Sequence, residues 1–219
     1  IKDRELHTVE HKLVLDSIYP ETILNKTVID IGAGSGAFLN SISKLVALSV
    51  AVEPDEKYRY AMKDELYDVF QKISDVNKKF DYVFSLQVIE HVKNPVDFLK
   101  EIKKNMHQES RLIISTPNRN DILMKVVKEK FEPFFYRKAH RFYFDKGSLE
   151  YCALKAGLKV IGTKFIHQYN VSNFIGWARD FMPTGVSNIE GVDVDVDVLW
   201  KKHLESHQNS DNIYTILGL

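Results

Sequence analysis

Two stretches of the chain carry residue types whose spacing suits chemistry. Residues 28–40 read VIDIGAGSGAFLN, so Asp30 closes an apolar run and Gly32, Gly34 and Gly36 follow with only small residues between them. Glycines at this spacing let another group come close to the backbone. A carboxylate at the end of a buried strand is costly unless something faces it, and a cationic group such as an ammonium would do so. Glu53, in VAVEPD, comes about 20 residues later, where a carboxylate can take ribose hydroxyls. The second stretch, LQVIEHVKNP (86–95), holds Gln87, Val88, Glu90 and His91. Histidine titrates near neutral pH, which suits His91 to removing a proton. His140, in KAHRF, is a second candidate of the same kind, and Glu90 reads as a group that orients a neighbour. His7 and His11 lie four apart and share a helical face, read as partly exposed and polar, with ligands or a roof over the donor as the alternative.

The glycine turn admits two ligands on spacing alone. Gly32-x-Gly34-x-x-Ala37 with Glu53 matches the fingerprint of a nicotinamide dinucleotide site. Asp30 and Gly36 weigh against it. A buried acid beside the turn favours a cationic ligand group, and GxGxG opens the backbone along its length instead of concentrating it on a pyrophosphate.

The elements that must position these residues alternate. Strands are expected at 27–31, 48–53, 68–73, 81–87, 111–116, 159–169 and 212–219, and helices at 4–19, 95–106 and 146–156. The glycine turn leads into Phe38, Leu39, Ile42, Leu45 and Val46 at helical spacing. Asn94, Pro95 and Asp97 start one helix, and Gly157 ends another. Alternation implies a doubly wound, mainly parallel sheet covered on both faces, with ligands beyond the carboxyl ends of its strands. The length suits one domain over 1–219. Thirty basic and 30 acidic residues cancel, which argues against a nucleic-acid partner. No apolar stretch reaches the roughly 18–20 residues of a membrane span. One cysteine, Cys152, excludes an internal disulfide and fits a cytoplasmic setting.

With these pieces in order, the chain resembles the class I S-adenosylmethionine-dependent methyltransferases. DIGAGSG (30–36) is similar to their first motif and Glu53 to their acid after strand two. FDYVFSLQVIEHVKNPVDFLKEI (80–102) is similar to their fourth strand and helix, and IISTPNR (113–119) to their fifth strand. AHRFYF and LKAGLKV resemble the ubiquinone-type and sugar-modifying branches. The resemblance implies a seven-stranded Rossmann-like α/β sheet with antiparallel strand 212–219 in the last-but-one position. It implies S-adenosyl-L-methionine as cofactor, held by Asp30, Gly32, Ala33, Gly34, Gly36, Glu53, Pro54, Asp75, Gln87 and Val88. His91 would act as general base with His140 assisting, and no metal is expected.

Residues 117–147 form a long insertion, read with helix 4–19 as a substrate-side lid. The insertion is rich in aromatics, and from 119 to 146 it holds eight basic residues against four acidic ones. The expected acceptor is therefore a small anionic hydroxyl compound, such as a nucleotide-linked or phosphorylated sugar of surface-polysaccharide synthesis. Segment 167–185 has a weak likeness to the substrate side of such enzymes. Residues 191–200 (GVDVDVDVLW) alternate acidic and apolar types, which reads as an exposed edge strand or extended loop. An RNA or protein methyltransferase and a non-catalytic donor-binding module are the alternatives.

Overall fold

The structure is a computed structural model that describes residues 8–18, 22–63, 67–185 and 189–219. Its strands are β1 (Thr27–Ile31), β2 (Leu48–Val52), β3 (Asp68–Phe70), β4 (Phe80–Leu86), β5 (Met106–Pro117), β6 (Lys159–Ile166) and β7 (Asn212–Gly218). They form one sheet in the order β3-β2-β1-β4-β5-β7-β6. The first five are parallel, and β7 lies antiparallel between β5 and β6, with Ile113 opposite Ile216. The expected sheet and the place of its reversed strand are therefore present.

Period-two alternation splits the strands between two cores. Ile29, Ile31, Val50, Val83 and Leu112 face one side, under α4 (Pro95–Lys103) and α7 (Lys146–Lys155). Val28, Ala51, Phe84, Ile113 and Tyr214 face the other, under α1 (Thr8–Ile18) and α2 (Ala37–Ile42). α1 covers the sheet with Val14 and Ile18, one turn apart; His7 and residues 4–6 lie outside the described residues. The Asn94 side chain accepts the Asp97 amide at 3.2 Å and starts α4 as its sequence requires. α3 (Glu56–Ala61) joins β2 to the edge strand.

The insertion folds into α5 (Ile122–Val126) and α6 (Lys128–Phe135). Both pack through Leu123, Phe131 and Phe135 against Trp177 of α8 (Val171–Asp180). Four expectations change. The helix after the glycine turn stops at Ile42, leaving Leu45 exposed. β3 gives way after Phe70 to a 3₁₀ turn at Ile73–Asp75, and β6 ends at Ile166. Residues 194–206 form a helix, α9 (Val194–Ser206), where an extended strand was expected. Asp193 caps it by accepting the Val196 amide, and Asp197 reaches across to the Val171 amide at 2.8 Å. Buried Leu204 anchors its second half. These tertiary ties override the alternating pattern of its first turns.

Candidate active site

An open cleft of about 1140 Å³ runs beyond the carboxyl ends of β1, β2 and β4. Asp30, Gly32, Ala33, Gly34, Glu53, Pro54, Gln87, Val88, His91 and His140 all line it. Two expected members do not. Asp75 is exposed in its 3₁₀ turn, bonded to the Ser74 hydroxyl at 3.3 Å. Gly36 sits behind the loop, where a Cβ would fall 2.1 Å from the Tyr67 hydroxyl oxygen; packing, not a ligand, requires glycine there. A Cβ at Gly32 would lie 2.4 Å from Val88 Cγ2, so that glycine brings the first loop against the β4 loop.

The loop amides are used within the fold. Gly32 and Ala33 donate to the Val52 carbonyl, and Gly36 to the Ala33 carbonyl. Gly34 donates to Glu53 Oε2 at 2.8 Å. Together these bonds hold the loop in shape. Glu53 also accepts the Asp55 amide on Oε1 at 2.8 Å, so both its oxygens are oriented and each keeps a further lone pair. Asp30 is 3% exposed and its Oδ1 has no partner. Burial first, and the Glu53 charge second, push its carboxyl up to about 7. An acid held this way fits a ligand that brings a cation to it.

On the far side of β4, Gln87 adopts a left-handed conformation with φ of 57° and donates to Ser115 Oγ and Asn212 Oδ1. His91 Nδ1 lies 3.0 Å from the Ala139 carbonyl oxygen. A carbonyl only accepts, so the neutral ring carries its proton on Nδ1 and presents a lone pair on Nε2. The His140 ring meets it edge to face, with centroids 4.7 Å apart. Burial, then the charges of His91 and Arg137, lower the His140 pKa. Glu90 is buried; its Oε2 accepts the Thr116 hydroxyl at 3.2 Å, and its carbonyl accepts the Arg141 and Phe142 amides. Burial pushes its carboxyl up to about 6. Glu90, His91 and His140 offer one ligand atom each within 4.8 Å of one another, a set able to hold a divalent cation. Sequence spacing paired only Glu90 with His91, because His140 returns through the insertion.

On the β5–β7 side of the cleft, the insertion and segment 167–185 supply lining residues as expected, but the two acids Asp121 and Asp211 were not foreseen. Asp121, Tyr169 and Asp211 line this side with Phe131 and Phe134. Of the eight basic residues in the insertion, Arg137 alone is among the described residues lining the cleft, where six Asp and Glu residues stand. His11, read as partly exposed, is 8% exposed and lines the cleft edge-on to Phe38.

Residues 9–163 match the family model described as "Methyltransferase domain". The mitochondrial ubiquinone biosynthesis O-methyltransferase of Arabidopsis thaliana is 31% identical over 103 residues, 42% of this chain and 32% of that protein. The corresponding Bradyrhizobium diazoefficiens enzyme is 30% identical over 103 residues, 42% of this chain and 40% of its own. The chain thus aligns with less than half the length of these relatives. The crystal structure of a SAM-dependent methyltransferase from Archaeoglobus fulgidus superposes with a TM-score of 0.65 at 16% identity, covering 99% of this chain and 94% of that one. The glycine loop after β1, the acid after β2 and the reversed β7 thus occur in a chain that belongs to the class I S-adenosylmethionine-dependent methyltransferases.

Proposed function

We propose that the protein methylates a hydroxyl group of a small acceptor, with S-adenosyl-L-methionine as donor and His91 as general base. The carrying observation is the Ala139 carbonyl on His91 Nδ1, which leaves Nε2 as the acceptor of a proton inside the cleft. The donor fits the residues present. Asp30, with an unpartnered buried oxygen, is suited to the amino group, and Glu53 to the ribose hydroxyls. The bound donor supplies a methyl group already activated on a sulfonium. The chain's own task is to hold the acceptor hydroxyl and take its proton. His91 Nε2 takes it, and His140 and Glu90 fix the surroundings of that ring. A nucleotide-linked or phosphorylated sugar, the acceptor suggested by the basic insertion, has one Arg or Lys to meet it among the described residues lining the cleft, Arg137.

The test compares thermal stabilisation by S-adenosylhomocysteine and by NAD. A shift with the former alone is expected, since a ligand of the folded state raises stability as its concentration exceeds Kd. A shift with NAD alone overturns the donor assignment. His91→Ala should keep that shift and lose turnover by about 10²–10⁴-fold. Unchanged turnover removes His91 from the mechanism.

A further inference from the structure

Two buried carboxylates on the β5–β7 side of the cleft have no part in the mechanism above. Asp121 follows β5 and Asp211 precedes β7; they are 4% and 8% exposed, and both line the cleft. Asn118 ties them together: its amide donates to the Asp211 carbonyl, and its own carbonyl accepts the Asp121 amide. Asp121 Oδ1 accepts the Leu123 amide, and Asp211 Oδ1 the Gln168 amide. Asp211 Oδ2 is buried without a partner.

Among the described residues, no Lys or Arg side chain is bonded to this pair. His167 Nδ1 is 3.5 Å from Asp211 Oδ1, but it accepts the Asp211 amide, so its proton is on Nε2 and the ring is neutral. Burial, then the Lys201 charge, keep its pKa down at about 4. Lys201 turns its ammonium to the Gln168 carbonyl at 2.8 Å. Burial pushes Asp121 up to about 7 and, with the Asp121 charge added, Asp211 to about 8. An anionic group here would oppose ionisation of both acids further. A neutral hydroxyl would satisfy the free oxygen but leave the two acids opposed. A group that is both a cation and a multiple donor satisfies both, and the aromatic rings of Phe131, Phe134 and Tyr169 in the same wall favour a cation as well.

We infer that Asp121 and Asp211 bind a primary ammonium group carried by the methyl acceptor. This rests on the methyltransferase reading of the cleft and specifies its substrate class: a hydroxylated amine. The amine is borne by an aryl or a sugar ring, and two matched pairs of probes separate these sources. Tyramine differs from 4-ethylphenol, and D-glucosamine from D-glucose, by an ammonium group. S-adenosylhomocysteine is titrated first; no binding overturns the donor reading, and the amine comparison is then made on the free protein. Calorimetry should show the amine of at least one pair binding at least about tenfold tighter than its neutral partner. Asp211→Asn and Asp121→Asn should each erase that preference while leaving S-adenosylhomocysteine affinity unchanged. Parity within both pairs, or a preference that survives both substitutions, overturns the inference.

Discussion

At the scale of single residues, the donor half of the site turns on Asp30. Its carboxyl is held at about 7 in the free protein by burial and Glu53. The ionised form is the one that can pair with an ammonium. Donor affinity is therefore expected to rise as pH climbs toward 7, by at most about tenfold per pH unit, and to level off above it. Asp30→Asn should weaken binding and flatten the profile, which titration of S-adenosylhomocysteine from pH 5.5 to 8.5 would reveal; an unchanged slope would mean the acid does not meet the ligand. In the free protein the sign is opposite. A carboxyl raised on folding costs stability as pH rises from the ordinary carboxylate range toward 7. Asp30, Glu53 and His91 were legible because their types stand at fixed distances from strand ends. Asp121 and Asp211 were not, nor was the meeting of His140 with His91 and Glu90, because loops remote in sequence bring them together at the cleft.

At the scale of elements, the glycine turn divides its labour. Gly36 has a φ of 75° and touches Tyr67, so Gly36→Ala combines a strained backbone with a clash and should destabilise by about 1–3 kcal/mol. Gly34 lines the cleft, and a Cβ there meets nothing within 4 Å. Gly34→Ala should cost less stability, about 1 kcal/mol for its φ of 54°, and weaken donor binding more. Chemical denaturation beside donor titration separates the two; equal losses in both measurements would refute the division. The motif was readable as a motif, but the split between packing and ligand depends on Tyr67, which no local pattern connects to the turn. α9 shows the same limit. Val194, Val196 and Val198 alternate like a strand and are exposed, whereas the ties that make the segment helical come from Asp193, Asp197 and Leu204.

At the scale of the whole molecule, the insertion joins the far side of the sheet through one aromatic cluster. Phe134 is half exposed, lines the cleft and meets Trp177 at 5.2 Å. Phe134→Ala should raise the acceptor KM by roughly fivefold, about 1 kcal/mol, with donor affinity unchanged. Steady-state kinetics at saturating donor would test this, and a change confined to donor affinity would count against a substrate-side role. The mainly parallel sheet was accessible from alternation and the place of its reversed strand from the family resemblance, whereas the seating of α5 and α6 against α8 was not. The reversed β7 has a consequence in time as well as in space. β6 leaves the ribosome before β7, its sheet neighbour, has been made, and β5 waits for that same strand. The donor half, β1 to β4, is complete far earlier. Asp211, Asn212 and Tyr214 arrive only with β7, so the side of the cleft proposed to meet the acceptor is completed after the glycine loop. A nascent chain can thus acquire its donor loop well before it has anything to methylate.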